Sequence, residues 1–153
     1  MVDPESVRIV IDHVSGSRRG QRQELAGEGK VRFGRHPECE VSFDAHRDID
    51  ASSRHAELRL HGERWVLVDV GSSNGTYVDG KRITEASVSP GVPVMVDFGP
   101  SGPKLRLFIG DDDQVVRLAA PPVEAAPSRR TWVLAVVAAL VVAVGVAALA
   151  LAL

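Results

Sequence analysis

An arginine, several serines, an asparagine and a histidine fall in three short clusters: Gly34-Arg35, Ser52-Ser53-Arg54-His55 and Gly71-Ser72-Ser73-Asn74-Gly75-Thr76. Arginine presents a planar fork of donors that suits a two-oxygen anion. Hydroxyls and a primary amide suit an extended polar ligand, because the amide offers both a donor and an acceptor. The same short side chains can instead simply close a turn. Asn74-Gly75 and Asp79-Gly80 are turn dipeptides, in which glycine permits a tight reversal at little steric cost. Ser52 and His55 are close enough in sequence to raise nucleophilic catalysis. No carboxylate accompanies them in a recognisable triad motif, and neither a P-loop nor a nucleotide fingerprint occurs. The clusters therefore read as a binding site in a protein that is not an enzyme.

A metal centre is the other chemistry to weigh. Between positions 36 and 50 lie His36, Cys39, Asp44, His46, Asp48 and Asp50. His36-x-x-Cys39 brings two ligands close but lacks the second pair of a zinc motif. The aspartates miss the spacing and the glycine of a calcium loop. No metal and no cofactor is expected, and the stretch reads as a loop that tunes partner specificity.

The framework that must position these clusters is β. With 14 glycines and 9 prolines in 153 residues, apolar runs are short and closely spaced, which favours a sandwich over a helical bundle. Strands are expected at 7–14, 21–25, 30–33, 41–43, 56–60, 64–69, 76–78, 81–83, 92–98 and 104–109. The polar tip Ser72-Ser73-Asn74 is then a loop held out between strands. A net charge of −2, with signs alternating along the chain, argues against a nucleic-acid partner. Arg18, Arg19 and Arg22 form a small basic cluster that is either a solvated loop or an attraction for an anionic partner. A single cysteine, Cys39, excludes an internal disulfide and fits a reducing compartment. The N-terminus lacks the features of a secretory signal.

The C-terminal portion differs in composition. Residues 111–130 read as an exposed linker rich in proline and alanine. From Trp132 to Leu153 there is no charge, and 22 residues of helix would span about 33 Å against a bilayer core of about 30 Å. A transmembrane helix is expected over 131–153. Arg129-Arg130 would face the cytoplasm and Trp132 the interface, giving a tail-anchored protein with its domain in the cytoplasm. Ala135, Ala139, Ala143 and Ala147, with Gly145 nearby, would permit helix-mediated self-association.

Taken in order, Gly34-Arg35, Ser52-x-x-His55 and Asn74-Gly75 resemble the forkhead-associated (FHA) domain, a phosphothreonine-recognition module, over roughly residues 5 to 110. The resemblance implies an all-β fold: a two-sheet antiparallel sandwich of about 10–11 short strands over residues 1–110. It implies that Arg35 and Ser52 bind the phosphate and that Ser53 contacts the peptide or phosphate. Many members carry arginine at that position; here the arginine falls one residue later, at Arg54, which is counted with Ser53 among the phosphopeptide-binding residues. Ser73 would lie beside the ligand, and the amide of Asn74 would bind the peptide backbone. His55 would brace the loops, while Gly34 and Gly75 would set backbone geometry.

Some family members bind their own phosphorylated threonine. The threonines here are Thr76, Thr84 and Thr131, with none in the first 30 residues, so the ligand is expected on another protein, a kinase or a kinase substrate. The whole reads as a membrane-tethered adaptor in Ser/Thr kinase signalling. The alternative is a structural component of a membrane complex, of secretion type, that binds its partners independently of phosphate.

Overall fold

The computed structural model describes residues 7–119, which form eleven strands and one short helix. The strands are β1 (Arg8–His13), β2 (Arg22–Ala26), β3 (Lys30–Gly34), β4 (Val41–Ser42), β5 (Ala56–His61) and β6 (Arg64–Asp69), followed by β7 (Thr76–Val78), β8 (Lys81–Ile83), β9 (Glu85–Val88), β10 (Val94–Phe98) and β11 (Lys104–Gly110). One sheet has the order β2-β1-β11-β10-β7-β8 and the other β4-β3-β5-β6-β9. Every pairing is antiparallel except the two-residue pairing of β4 with β3, where Phe33 lies opposite Val41. That parallel edge departs from the wholly antiparallel expectation. It arises because the chain leaves β3 at Gly34 and returns along the same direction.

Alternation along the strands builds the core. Leu58 of β5 pairs with Leu67 of β6, and both point inward with no exposure, while their neighbours face outward. Ile9 and Ile11 of β1, Phe33 of β3, Val96 and Phe98 of β10, and Leu105 and Leu107 of β11 close the interior from both sheets. Strand β9 was not foreseen. Glu85-Ala86-Ser87 has little strand preference, and the segment becomes a strand because Val88 packs opposite Trp65 on an otherwise open edge.

The acidic run after β11 is the second difference. Asp111 caps a helix, α1 (Asp112–Arg117), with a reciprocal capping box to Gln114. Val115 packs on Val10 and Phe108, which point away from the main core. This small second cluster explains why β1 is buried on both faces and alternates so weakly in sequence.

The membrane-spanning helix is corrected. Among the described residues no helix is long and apolar enough to cross a membrane. The six residues of α1 would span about 9 Å, far short of the roughly 20 residues that a bilayer core requires. The run 131–153, to which that helix was assigned, lies outside the described residues, as do Ala135, Ala139, Ala143, Gly145 and Ala147. Membrane tethering, the tail-anchored topology with a cytoplasmic domain, and helix-mediated self-association are accordingly not carried into the functional reading.

Candidate functional site

The three polar clusters converge because strand ends deliver them to one end of the sandwich. Strand β3 ends at Gly34, β5 begins at Ala56, β6 ends at Asp69 and β7 begins at Thr76, with Phe33 paired to Ala56 and Ala56 to Asp69. Beneath the loops lies an aromatic floor. Phe98 stacks on Phe33 at 5.4 Å, touches Phe43 at 4.9 Å and receives His55 edge-on at 5.1 Å. Edge-on and offset contacts of this kind favour a fixed geometry over a mobile one.

Gly34 permits the first close approach. A Cβ there would lie 2.2 Å from the carbonyl oxygen of Ser53. The backbone therefore passes directly against the Ser52–Ser53 segment, and the N–H groups of Arg35 and His36 donate to the carbonyls of Ser52 (3.1 Å) and Ser53 (2.9 Å). Arg35 follows immediately and is partly buried. Its Nε donates to the Ala51 carbonyl at 2.6 Å and one Nη to the Ala45 carbonyl at 3.0 Å. Among the described residues no carboxylate pairs with it. A guanidinium has five N–H donors. Arg35 is thus aimed by two neutral carbonyls and keeps a full positive charge with donors to spare.

Ser52 and Ser73 are joined directly, since the Ser73 N–H donates to Ser52 Oγ at 3.0 Å. Asn74 is exposed, and its amide nitrogen donates to the Asp50 carbonyl at 2.9 Å. Ser53 and Arg54 are exposed too, but Arg54 turns to Glu38, 4.0 Å away. Hydrogen bonds therefore join Arg35 to Ser52 and Ser52 to Ser73, the Asn74 amide is held separately on the Asp50 carbonyl, and Arg54 is set against the β3–β4 turn. In the 36–50 stretch, Cys39 is buried and its thiol is pushed up by burial, and His36 Nδ1 accepts from the Glu38 N–H at 3.2 Å.

His55 is fully buried. Its Nδ1 accepts from the Ser52 N–H at 2.9 Å, so its proton sits on Nε2, which donates to the Gly75 carbonyl at 2.9 Å. One ring thereby ties the loop before β5 to the loop before β7. Burial pushes its pKa down, against the hydrogen bond to Gly75. The ring meets the main-chain N–H of Ser52, not its hydroxyl. Ser52 and His55 are consequently not paired as nucleophile and base.

Two carboxylates whose supporting role sequence reading missed hold the loops. Asp69 accepts from the N–H groups of Gly71 and Ser72 at 2.9 Å each, from the Ser72 hydroxyl at 2.5 Å and from Thr76 Oγ1 at 2.7 Å. Burial would raise its pKa, but these donors, led by Ser72, outweigh burial and bring it to about 2. The signal was present, because an aspartate two residues before a glycine at a strand end is a common turn device. Asp48 is buried and accepts from Ser17 N–H at 2.9 Å and Asp44 N–H at 3.0 Å. It fastens the 43–55 loop, which supplies both carbonyls under Arg35, to the β1–β2 loop. No local pattern announces a partner 31 positions away.

The histidines give the fold a defined acid response. Burial, with the charge of Arg18, lowers His13 from 6.5 to about 4, and His55 moves the same way. Both folded-state values lie below the unfolded ones, so the unfolded chain binds more protons and stability falls as pH drops below about 6.5, for His13 through a window that ends at about 4. For His13 that amounts to on the order of 3 kcal/mol. Asp69 and Glu40, both near 2, hold their contribution until pH falls below about 4. Urea unfolding followed from pH 7.5 to pH 4 should show this first loss, and His13→Gln should flatten it. A profile unchanged by that substitution would rule out His13 as the source.

Comparison with known proteins agrees with the geometry. Residues 31–96, less than half of the chain, match the family model described as the FHA domain. The glycogen accumulation regulator GarA of Mycolicibacterium smegmatis is 43% identical over 63 residues, 41% of this chain and 38% of that protein, so the match spans well under two thirds of the relative's length. The FHA-1 domain of Mycobacterium tuberculosis Rv1747 is 26% identical with a TM-score of 0.55, over 69% of this chain and 98% of that one. A further solved structure, from work on phosphothreonine-dependent FHA domain interactions, is 25% identical with a TM-score of 0.53, over 66% of this chain and 95% of that one. Fold and matched region agree that the sandwich is similar to solved FHA domains, and a non-catalytic chain fits that likeness.

Proposed function

We propose that the sandwich binds a phosphothreonine-containing segment of another protein at the Arg35–Ser52–Ser73–Asn74 surface. The observation that carries this reading is the state of Arg35: partly buried, aimed by the carbonyls of Ala51 and Ala45, and not neutralised by any described carboxylate. A guanidinium fixed in direction and left without a carboxylate is free to pair with an incoming anion. A phosphate ester, with a charge of about −1.5 to −2 and several acceptor oxygens, matches the free donors. Ser52 Oγ and the Ser73 main chain supply the flank, and Asn74 retains acceptor capacity for a peptide backbone.

Of the two described threonines Thr84 is exposed, and support for a ligand in trans comes from Thr76. Thr76 is fully buried and donates to Asp69, so it is not available as a docked phosphothreonine. The test is calorimetric titration of the full chain with matched phosphothreonine, phosphoserine and unmodified peptides. Binding selective for phosphothreonine is expected. Equal affinity for the unmodified peptide would instead favour a scaffold that assembles without phosphate.

A further inference from the structure

Asp48 is the one buried residue between Phe43 and Ala51, in a run otherwise exposed or half-buried. A buried carboxylate is costly unless donors satisfy it. Ser17 gives its N–H to Oδ1 at 2.9 Å and its hydroxyl to Oδ2 at 2.5 Å, and the Asp44 N–H reaches Oδ2 at 3.0 Å. The main chain of Asp48 ties both limbs of the loop together. Its N–H donates to the Asp44 carbonyl at 3.1 Å, and its carbonyl accepts from the Ala51 N–H at 3.0 Å. Those limbs carry the carbonyls of Ala45 and Ala51 that aim Arg35. Ser17 stands on a fixed base. The N–H groups of Val14 and Ser15 donate to the Lys104 carbonyl at 2.9 and 3.2 Å, and Ser15 Oγ accepts from the Lys104 N–H at 3.1 Å.

Resting on the phosphopeptide reading and deepening it, we propose that Ser17 and Asp48 are positioning residues for phosphate binding: the latch between them fixes the Ala45 and Ala51 carbonyls, and through them the direction of Arg35. Neither residue has to touch the ligand. Residues 44–47 are exposed, so burial contributes little to placing the Ala45 carbonyl, and the latch sets its position. With the carboxylate released, that carbonyl moves more freely and the guanidinium samples several directions. Realigning it when the phosphate arrives then costs affinity, because freedom lost on association weakens a complex. The β1–β2 loop, which lies outside the three polar clusters, thereby controls the strength of the site.

The test uses the full chain and two readouts: titration with phosphothreonine and unmodified peptides, and the NMR resonance of the Arg35 Nε–H, which reports its bond to the Ala51 carbonyl. Ser17→Ala removes the hydroxyl and keeps the main-chain donor to Oδ1. It is expected to bind the phosphothreonine peptide about three- to tenfold less tightly than the unchanged protein, the range of one hydrogen bond. The Arg35 resonance should shift and exchange faster with water in the same variant. Ser17→Thr keeps a hydroxyl and should restore both readouts. Asp48→Ala should lose more affinity, and adding Ser17→Ala to it should cost nothing further, since the partner is already gone. If Asp48→Ala does not fold, the two Ser17 variants decide the matter alone. Unchanged affinity in Ser17→Ala, an affinity loss with the Arg35 resonance unmoved, or an equal loss in Ser17→Thr overturns the proposal. Equal binding of phosphothreonine and unmodified peptides by the unchanged protein is a separate outcome. It refutes the phosphopeptide reading itself, and this proposal with it.

Discussion

Arg35→Ala is expected to remove phosphopeptide binding, at a cost of about 2–5 kcal/mol, which is a loss of roughly 30-fold or more. The magnitude follows from the setting. Two carbonyls fix the direction of the guanidinium, and among the described residues no carboxylate competes with the ligand for it. Arg35→Lys keeps a charge but loses the fork, and should recover only part of the affinity. Because the Arg35 side chain makes only two hydrogen bonds among the described residues, both variants should melt within a few degrees of the parent. Titration calorimetry with one phosphothreonine peptide, alongside thermal unfolding of each variant, checks both halves. Full binding by Arg35→Ala would place the phosphate elsewhere.

Gly34→Ala is expected to damage fold and site together. The added methyl would stand 2.2 Å from the Ser53 carbonyl oxygen and 2.8 Å from its carbonyl carbon, and these are main-chain atoms with no rotamer to yield. The end of β3 must move away from the Ser52–Ser53 segment. That strains the bonds from Arg35 and His36 to Ser52 and Ser53 and displaces Arg35 from Ser52. Overpacking of this kind costs about 1–3 kcal/mol, which for a sandwich of this size lowers the melting temperature by several degrees per kcal/mol. Weakened binding with a lowered melting temperature is the predicted pair of results, in contrast to Arg35→Ala, where only binding falls. A variant that melts like the parent would show that the two segments are free to separate.

The two substitutions also mark where sequence and structure divide. The order Gly34-Arg35, Ser52-x-x-His55, Asn74-Gly75 already carries the chemistry, because the needs are local. A forked cation, a hydroxyl, an amide and two glycines at strand ends are fixed by residue type and spacing. Most strands were legible for the same reason, since an apolar alternation such as that of β5 and β6 specifies its own buried face. Strand β9 and helix α1 were not legible. Glu85–Val88 is a strand only because β6 offers an open edge, and Asp112–Arg117 is a helix only because Val10 and Phe108 give Val115 a place to pack. A long apolar run is equally legible as composition, yet no described helix spans a membrane, and composition alone did not establish the placement read from it. What tertiary structure alone decided is the support of the site. Asp48 reaches Ser17, His55 joins Ser52 to Gly75, and Arg82 lies over Gly75, contacts that depend on how the two sheets bring distant loops together. Sequence determines which groups meet a ligand. Only the folded chain determines which of those groups are already matched by internal partners and which, as Arg35 is among the described residues, are left without a carboxylate.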